Sequence, residues 1–438
     1  MPRNSFEPLP PFISTSDPDS FASFTFTDRL PKMLDQIVEK NSLGGTGRQA
    51  LIELKNRLRS GVVQDCSAAP GELLEPAERA VWNAEIAGHV GRSWLDLPWY
   101  FAESLFYLEV LLAWGYYSVD RPRLAADPFE AFKEEELHRP GGALDLVAGI
   151  SPAVSSADTT KDKLRILLHY CLWANRMDLS YSQLLKIYRN PLRIEEDHLL
   201  VDHSDTATEK LLQASRVDFI LDNAASELIC DLYLVHLLLQ HSEKLNILLH
   251  CKKAPFYVSD AMGKDVLRTI ASLEHSGHSE LLRIGRLLTG YLEDGRLRIL
   301  DHYFWNGPLH FPEFPDDLRR CLAGSDLVVL KGDVNYRRLL SDRRWAPSVN
   351  MESIVGYFPA ALVTLRTTKS ELVVDLSPEK VEELNRKDPK WMIEGRYGII
   401  RYCESGNCSR SLYSAGKRRR FGTIPFSNQF RVDSQESV

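Results

Sequence analysis

The sequence predicts an α/β protein in which a helical N-terminal part precedes a largely parallel sheet covered by helices on both faces. Its 438 residues exceed the ~250–300 residues that one hydrophobic core usually serves, so we expect two domains. Apolar residues recur at helical spacing as far as about residue 215. Beyond that point, short apolar runs alternate with helical stretches, which is typical of parallel strands buried on both faces.

The helical domain is expected at residues 21–215. Apolar positions recur every three or four residues in four stretches, LPKMLDQIVEK, GRQALIELKNRLRSG, PAERAVWNAEIAGHVG and KDKLRILLHYCLWANRMDLSYSQLLKIY. The most apolar window runs from Trp99 to Tyr117 but contains Glu103 and Glu109. Those charges are costly in a bilayer, so we interpret this window as a buried helix and expect no membrane association.

The α/β domain is expected at residues 216–425, between a loose lead-in at 1–20 and a C-terminal tail at 426–438. Its six predicted strands are 217–221, 245–249, 297–300, 326–330, 361–365 and 397–402. A helix from about 225 to 241 separates the first two strands, so these three elements fit one βαβ crossover. Ligands of such sheets bind beyond the carboxyl ends of the strands, which directs attention to the residues that follow them.

Charge and cysteine content limit the partners and the compartment. A formal net charge of −7 argues against nucleic acid as the main partner. The seven cysteines are scattered and odd in number, which suits a reducing compartment. We expect free thiols at Cys403 and Cys408, a cytoplasmic protein and a monomer. The basic run KRRR at 417–420 is interpreted as a solvated surface, with nuclear import as the alternative.

Three oxygen-bearing side chains follow the first two strands. Asp222 and Asn223 come directly after 217–221, and Asp260 ends the segment after 245–249. Carboxylate and amide oxygens suit Mg²⁺ or Mn²⁺ rather than zinc. Taken singly, each is equally a helix cap. Glu227 lies four residues after Asn223 and is expected on the same helix face. We expect it to contact the metal ligands rather than the metal itself.

Basic residues follow the later strands. Arg337, Arg366 and Lys369 have the chemistry that an anionic substrate requires, a guanidinium fork or an ammonium charge. Asn335 is a candidate donor to phosphate or a sugar hydroxyl, and a helix starting near Val334 would add amide donors. Asp333 could orient water, hold a substrate hydroxyl or join the metal, and the sequence leaves these roles open.

These motifs in this order, LDNAASELICDL, KKAPFYVSD, KGDVNYRRL and LRTTK, resemble the DUF89 family of metal-dependent damage-control phosphatases, in its eukaryotic branch with the R-T-x-K motif. The helical segments SWLDLPWYFAESLFY and LWANRMDLS are also similar to that family. The resemblance spans roughly residues 20 to 425. It departs at DNAASE, where Ala-Ala stands in place of a small residue followed by Gly or Phe.

The resemblance implies a helical domain packed on a Rossmann-like three-layer α/β/α domain with Mn²⁺, Mg²⁺, Co²⁺ or Ni²⁺ in the cleft. By motif position, the metal ligands would be Asp222, Asn223 and Asp260. The implied activity is hydrolysis of phosphomonoesters such as fructose 1-phosphate and fructose 6-phosphate. Also by motif position, the segment from Asp333 to Arg337 and Lys369 would contact the substrate phosphate. Together with the residues argued from strand ends, the catalytic set is Asp222, Asp260 and Asp333, and the substrate contacts are Asp222, Asn223, Asp333, Val334, Asn335, Tyr336, Arg337, Arg366 and Lys369.

Two other functions stay open at this stage. Some members of the family are described as S-adenosylmethionine-dependent carboxyl methyltransferases that act on protein glutamates, but no glycine-rich turn follows the first strand of the α/β domain. A non-catalytic interaction protein would be expected to have lost part of the Asp-Asn-Asp set. Within the phosphatase hypothesis we prefer direct attack by water, because the D-x-D-x-T motif of phospho-aspartyl enzymes is absent; a nucleophilic carboxylate is the alternative.

Overall fold

The structure, a computed structural model, describes residues 9–65, 74–118, 126–174 and 198–404. Helices occupy most of the first three ranges, and a π-helical turn at Thr25–Arg29 joins α1 to α2. Within the described residues, no helix combines the length and apolar character needed to cross a bilayer. The helices here are α1 (Phe21–Phe24), α2 (Leu30–Lys40), α3 (Gly45–Ser60), α4 (Pro76–Ala87), α5 (Trp99–Trp114), α6 (Glu130–His138), α7 (Ala143–Ser155) and α8 (Thr160–Trp173).

The range 198–404 alternates strands with helices. Its strands are β1 (Leu199–Asp202), β2 (Arg216–Ile220), β3 (Asn246–Cys251), β4 (Leu297–Asp301), β5 (Leu327–Lys331), β6 (Leu362–Thr367) and β7 (Gly398–Cys403). Its helices are α9 (Ser204–Gln213), α10 (Ser226–His241), α11 (Gly263–Glu274), α12 (Ser279–Glu293), α13 (Asp316–Ala323), α14 (Asp333–Leu339), α15 (Met351–Val355) and α16 (Pro378–Lys387). The six predicted strands are confirmed to within one or two residues.

The seven strands form one sheet in the order β1-β7-β6-β5-β2-β3-β4. All neighbours are parallel except β6 and β7. Strand β2 lies between β3 and β5, with Val217 opposite both Ile247 and Leu327. Because chain order reverses direction across β2, the crevice beyond its carboxyl end is where this kind of sheet binds ligands.

Alternate residues of the strands face two separate hydrophobic cores. Ile220 and Leu330 lie in a core with helices α2, α3 and α5, whereas Phe219 and Val329 lie in a core with α7, α8 and α10. A sheet with helices on both faces is the three-layer arrangement that the continuous apolar strands predict.

Two details differ from the sequence-based expectation. Residues Leu199–Asp202, expected within the helical domain, form edge strand β1, which pairs in parallel with β7. The expected loose lead-in is packed over residues 9–20: Ile13 is 1% exposed and its amide donates to the Asp342 carbonyl oxygen at 2.8 Å. Short apolar stretches such as these are stabilised by contacts distant in sequence, which periodicity does not reveal.

Candidate functional site

The loops after β2 and β3 are joined by backbone hydrogen bonds. The Ala261 amide donates to the Asp222 carbonyl oxygen at 2.7 Å, and the Ala224 amide donates to the Ser259 carbonyl oxygen at 2.6 Å. Asn223 and Asp260 form an isolated antiparallel bridge between these bonds. The structure therefore brings the three predicted metal ligands onto two connected loops at the carboxyl edge of the sheet.

Both loops contain backbone conformations that side chains rarely adopt. Ala225, just before α10, has φ +53°, and Tyr257 and Val258 have φ +52° and +65°. Such conformations are costly for residues other than glycine, and most of all for β-branched ones, so the surrounding contacts must impose them. The strain falls within three residues of Asn223 and Asp260.

Gly332, between β5 and α14, makes room for the Asp222 side chain. Its φ is +85°, and a Cβ atom placed on it would lie 1.9 Å from Asp222 Oδ2. Only glycine tolerates both the backbone conformation and this approach. The glycine that follows β5 thus fixes how closely the Asp222 carboxylate lies against the next strand.

The buried carboxylates carry more negative charge than their surroundings balance. Burial, followed by the neighbouring Glu227 and Asp260, raises the pKa of Asp222 well above its usual value, against the opposing effect of Lys369 and Lys331. Burial also raises the pKa of Asp260 to about 6, although Lys252 Nζ lies 3.2 Å from its Oδ2. A divalent cation would offset this excess charge.

The donor set fits a hard divalent ion. Asp222 and Asp260 supply carboxylate oxygens, and the described residues of these two loops present no thiol or imidazole beside them. Asn223 Oδ1 accepts a hydrogen bond from Ser259 Oγ, and an amide oxygen has a second lone pair for a metal. Its Nδ2 donates to Asp222 Oδ2 and to Glu227 Oε2, each at 2.9 Å.

Asp333, the first residue of α14, is fixed by the loop after β6. Its Oδ1 accepts from Arg366 Nε at 2.7 Å, from Ser370 Oγ at 3.0 Å and from the Lys369 amide at 3.2 Å. Arg366 is fully buried and lies 4.2 Å over the ring of Tyr336. The structure thus uses the guanidinium of Arg366 and the ring of Tyr336 to support Asp333, whereas the sequence had suggested that both contact phosphate.

Arg337 also has a placement different from the one expected. The residue is 1% exposed, and its guanidinium donates to both oxygens of Asp342, at 2.8 and 3.1 Å, and to Glu103 Oε2 at 2.8 Å. It lies 3.3 Å over the ring of Trp99. Because two carboxylates already neutralise it, we assign Arg337 to holding α14 against α5 rather than to binding phosphate.

The remaining predicted substrate contacts lie either in the protein interior or at the cleft. Asn335 is buried, and its Nδ2 donates to the carbonyl oxygens of Leu221, at 3.2 Å, and Lys331, at 2.9 Å, which links the ends of β2 and β5. Val334 and Lys369 are half-buried. Among the predicted cations Lys369 is the one close enough to lower the pKa of Asp222, and it is therefore the strongest candidate to meet an anionic substrate.

Two lysines at the strand ends were missed by the sequence analysis. Lys252 follows β3 and pairs with Asp260, and Lys331 ends β5 and pairs with Glu227 Oε1 at 2.8 Å and Asp231 Oδ1 at 2.9 Å. Both are at most 5% exposed. The signal was present, since lysine is rarely buried without a partner and each stands at the end of a continuous apolar run.

A second group with metal-ligand chemistry lies where α13 approaches strands β2 and β3, apart from this site. The ligand atoms of Asp218, His250 and Cys321 all lie within 4.8 Å of one another. Arg216 already occupies the group, since it donates to both oxygens of Asp218 at 2.9 Å and lies 3.3 Å from Cys321 Sγ. We interpret this group as a structural ion-pair network in which the guanidinium supplies the positive charge.

Comparison with known proteins gives a consistent assignment. Residues 25–384 match the model of the damage-control phosphatase ARMT1-like domain. Damage-control phosphatase ARMT1 of Mus musculus is 29% identical over 437 residues, covering 90% of this chain and 98% of that protein. The proteins of the same name from Homo sapiens and Danio rerio are each 29% identical over 443 residues, covering 90% of this chain and 98% and 97% of their own lengths.

A solved structure of a DUF89 family protein from Pyrococcus horikoshii aligns with 86% of this chain and 98% of its own, at 16% sequence identity and a TM-score of 0.46. A similarity of this degree adds nothing to the assignment. The family model covers most of the chain and agrees with the motifs that meet at the carboxyl edge of the sheet. This chain belongs to the damage-control phosphatases with an ARMT1-like domain.

Proposed function

We propose that this protein is a divalent-metal-dependent phosphatase that hydrolyses phosphomonoesters of small sugars, such as fructose 1-phosphate and fructose 6-phosphate. Membership of the phosphatase family supports the reaction class. The observation that carries the metal requirement is the cluster of buried carboxylates around Asp222, whose pKa is raised by burial, Glu227 and Asp260. Mn²⁺ and Mg²⁺ are the ions we favour, because every proposed ligand atom is an oxygen.

When bound, such an ion would polarise a phosphoryl oxygen and make water more acidic. The residues proposed to hold it are Asp222, Asn223 and Asp260. Lys369 would place its ammonium group against the phosphate and offset the charge that develops there. Asp333, fixed by Arg366, Ser370 and the Lys369 amide, would orient the attacking water or a substrate hydroxyl.

The test is a phosphate-release screen over sugar phosphates with Mn²⁺, Mg²⁺, Co²⁺, Ni²⁺ or a chelator, run beside Asp260→Ala. We expect release by the native protein only when metal is present. Asp260→Ala should lose both metal binding and phosphatase activity while keeping its circular dichroism spectrum. Unchanged metal binding and activity in that variant would overturn the site assignment.

A further inference from the structure

Lys331 is the centre of a buried polar network that leads away from the proposed metal ligands. Its side chain is 0% exposed. Its ammonium group lies 2.8 Å from Glu227 Oε1, 2.9 Å from Asp231 Oδ1 and 2.7 Å from the Cys171 carbonyl oxygen. An ammonium group has three protons to donate, and each of these acceptors can take one.

Glu227 connects Lys331 to the proposed metal site. Glu227 and Asp231 are four residues apart on one side of α10, and Asn223 lies in the loop just before that helix. Glu227 Oε1 contacts Lys331, and Glu227 Oε2 accepts from Asn223 Nδ2 at 2.9 Å. Each oxygen of this carboxylate therefore has a partner of its own.

This contact decides which way the Asn223 carboxamide faces. A carboxylate only accepts hydrogen bonds, so the amide must turn its NH₂ group toward Glu227 and Asp222 and its oxygen toward Ser259. If Glu227 carried a donor on that side, the preference would be lost. Lys331 Nζ lies 2.8 Å from the other oxygen of the same carboxylate and fixes its orientation toward Asn223.

The same lysine joins the network to helix α8. Cys171 lies in the last turn of α8 (Thr160–Trp173), where backbone carbonyl groups have no partner within the helix. Lys331 donates to one of these carbonyl groups, and a positive charge at a helix C-terminus is favourable. Helix α8, the end of β5 and the side of α10 therefore meet at one ammonium group.

We propose that Lys331 and Glu227 are positioning residues that orient the Asn223 carboxamide for the divalent ion, with helix α8 as their anchor. This inference rests on the metal site of the proposed function. It assigns no direct metal contact to Glu227, because an ammonium group 2.8 Å from Oε1 competes with a cation at the same carboxylate.

The first test compares two carboxylates that share Lys331 and lie one helical turn apart. Glu227→Gln places an NH₂ group against either Lys331 or Asn223, both of which are donors. We expect its affinity for Mn²⁺, measured by calorimetry and by electron paramagnetic resonance of bound Mn²⁺, to fall about 10- to 100-fold. Asp231→Asn, which is equally buried but does not touch Asn223, should bind Mn²⁺ like the native protein.

If Glu227 and Asp231 only stabilised the fold, both substitutions would change the Mn²⁺ affinity to the same extent. Equal loss of Mn²⁺ affinity in Glu227→Gln and Asp231→Asn, or no loss in Glu227→Gln, would therefore overturn the proposal. Circular dichroism and urea unfolding of the same samples identify any variant that has failed to fold.

The second test separates positioning from direct ligation by Glu227. The double variant Lys331→Met/Asp231→Asn removes one positive and one negative charge, so the net charge of the buried cluster is kept. Positioning predicts weaker Mn²⁺ binding than in the native protein, whose cluster has the same net charge. Tighter binding, which follows when a competing cation is removed from a metal ligand, would refute the positioning role.

These outcomes are distinguishable from failure of the proposed function. If the native protein binds Mn²⁺ through Asn223 but releases no phosphate from any sugar phosphate, the function fails and the positioning role can still be measured. If phosphate release is metal-dependent and Glu227→Gln binds Mn²⁺ normally, the positioning role fails and the function stands.

Discussion

Two buried aspartates four residues apart along the β2 segment, Asp218 and Asp222, have opposite electrostatic surroundings. Burial raises the pKa of Asp218, but hydrogen bonds from His250 and Arg216 outweigh it and leave that pKa below its usual value. At Asp222, burial acts together with two neighbouring carboxylates, and the pKa is raised well above its usual value. The negative charge of Asp218 is balanced by neighbouring side chains, whereas that of Asp222 is not.

The difference shows how a strand can carry similar side chains for different purposes. The carboxylate within the strand stabilises the fold through Arg216, whereas the one beyond the strand end lies where a cation or a substrate can reach the loops. Asp218 lies in a group whose side chains could ligate a metal, and carboxylate oxygens are also present at Asp222, so charge balance, rather than residue type, distinguishes the two places.

The largest expected effect is on metal binding. Asp222→Asn should weaken Mn²⁺ binding and phosphate release by at least about 100-fold, because even residues that only support metal ligands contribute 10- to 100-fold. Asp218→Asn should leave Mn²⁺ affinity and stoichiometry unchanged. Calorimetric titration of both variants tests this, and a lost equivalent of metal in Asp218→Asn would show that the distinction between the two sites is wrong.

The next effect is on stability, with opposite signs at the two positions. Asp218→Asn leaves Arg216 without its charged partner and should lower the free energy of unfolding by about 3–5 kcal/mol. In metal-free protein, Asp222→Asn removes a destabilising charge and should raise the free energy of unfolding. Urea unfolding in the presence of a chelator measures both. Two changes of the same sign would contradict the charge assignment.

A smaller effect on stability and metal binding is expected from a substitution at Gly332, where the end of β5 approaches Asp222. Gly332→Ala introduces a Cβ atom into the Asp222 carboxylate at a φ of +85°. We expect it to lower the free energy of unfolding by about 1–3 kcal/mol and to weaken Mn²⁺ binding. Gly295→Ala is the matched control, since it has a similar φ of +82° and open space around it, and it should affect stability alone.

The smallest effect is the pH dependence of the two stability changes. The Asp218 pKa is lowered, so its stabilising contribution is complete above about pH 4 and is lost as the pH falls through the folded-state value. The Asp222 pKa is raised, so its destabilising effect is absent at low pH and grows as the pH rises above about 4. The stability loss in Asp218→Asn should therefore stay constant above about pH 4 and shrink only below it, whereas the stability gain in Asp222→Asn should be small at about pH 4 and grow toward neutral pH. Unfolding curves at about pH 3, 4, 5.5 and 7 measure both changes, and the same response of the two variants between about pH 4 and 7 would contradict the two charge assignments.

The sequence was sufficient for the strands and for the convergence of their ends. Asp222, Asn223 and Asp260 follow continuous apolar runs, and parallel topology brings such positions to one edge. The sequence was insufficient to predict which basic residues face the cleft. Arg337 is neutralised by Glu103, 234 residues away in the chain, and Arg366 by Asp333. A single sequence does not show whether a guanidinium faces the cleft or a carboxylate behind it, because that depends on packing between distant elements.

The shared cores limit how this protein can be divided. Residues of α2 and α5, such as Leu34 and Phe106, lie in the same hydrophobic core as Leu330 and Leu362 from strands β5 and β6. A fragment beginning at residue 216 would therefore expose to water the apolar side chains that α2 and α5 cover. We expect the two halves to be insoluble when expressed separately and to recover structure only when they are produced together.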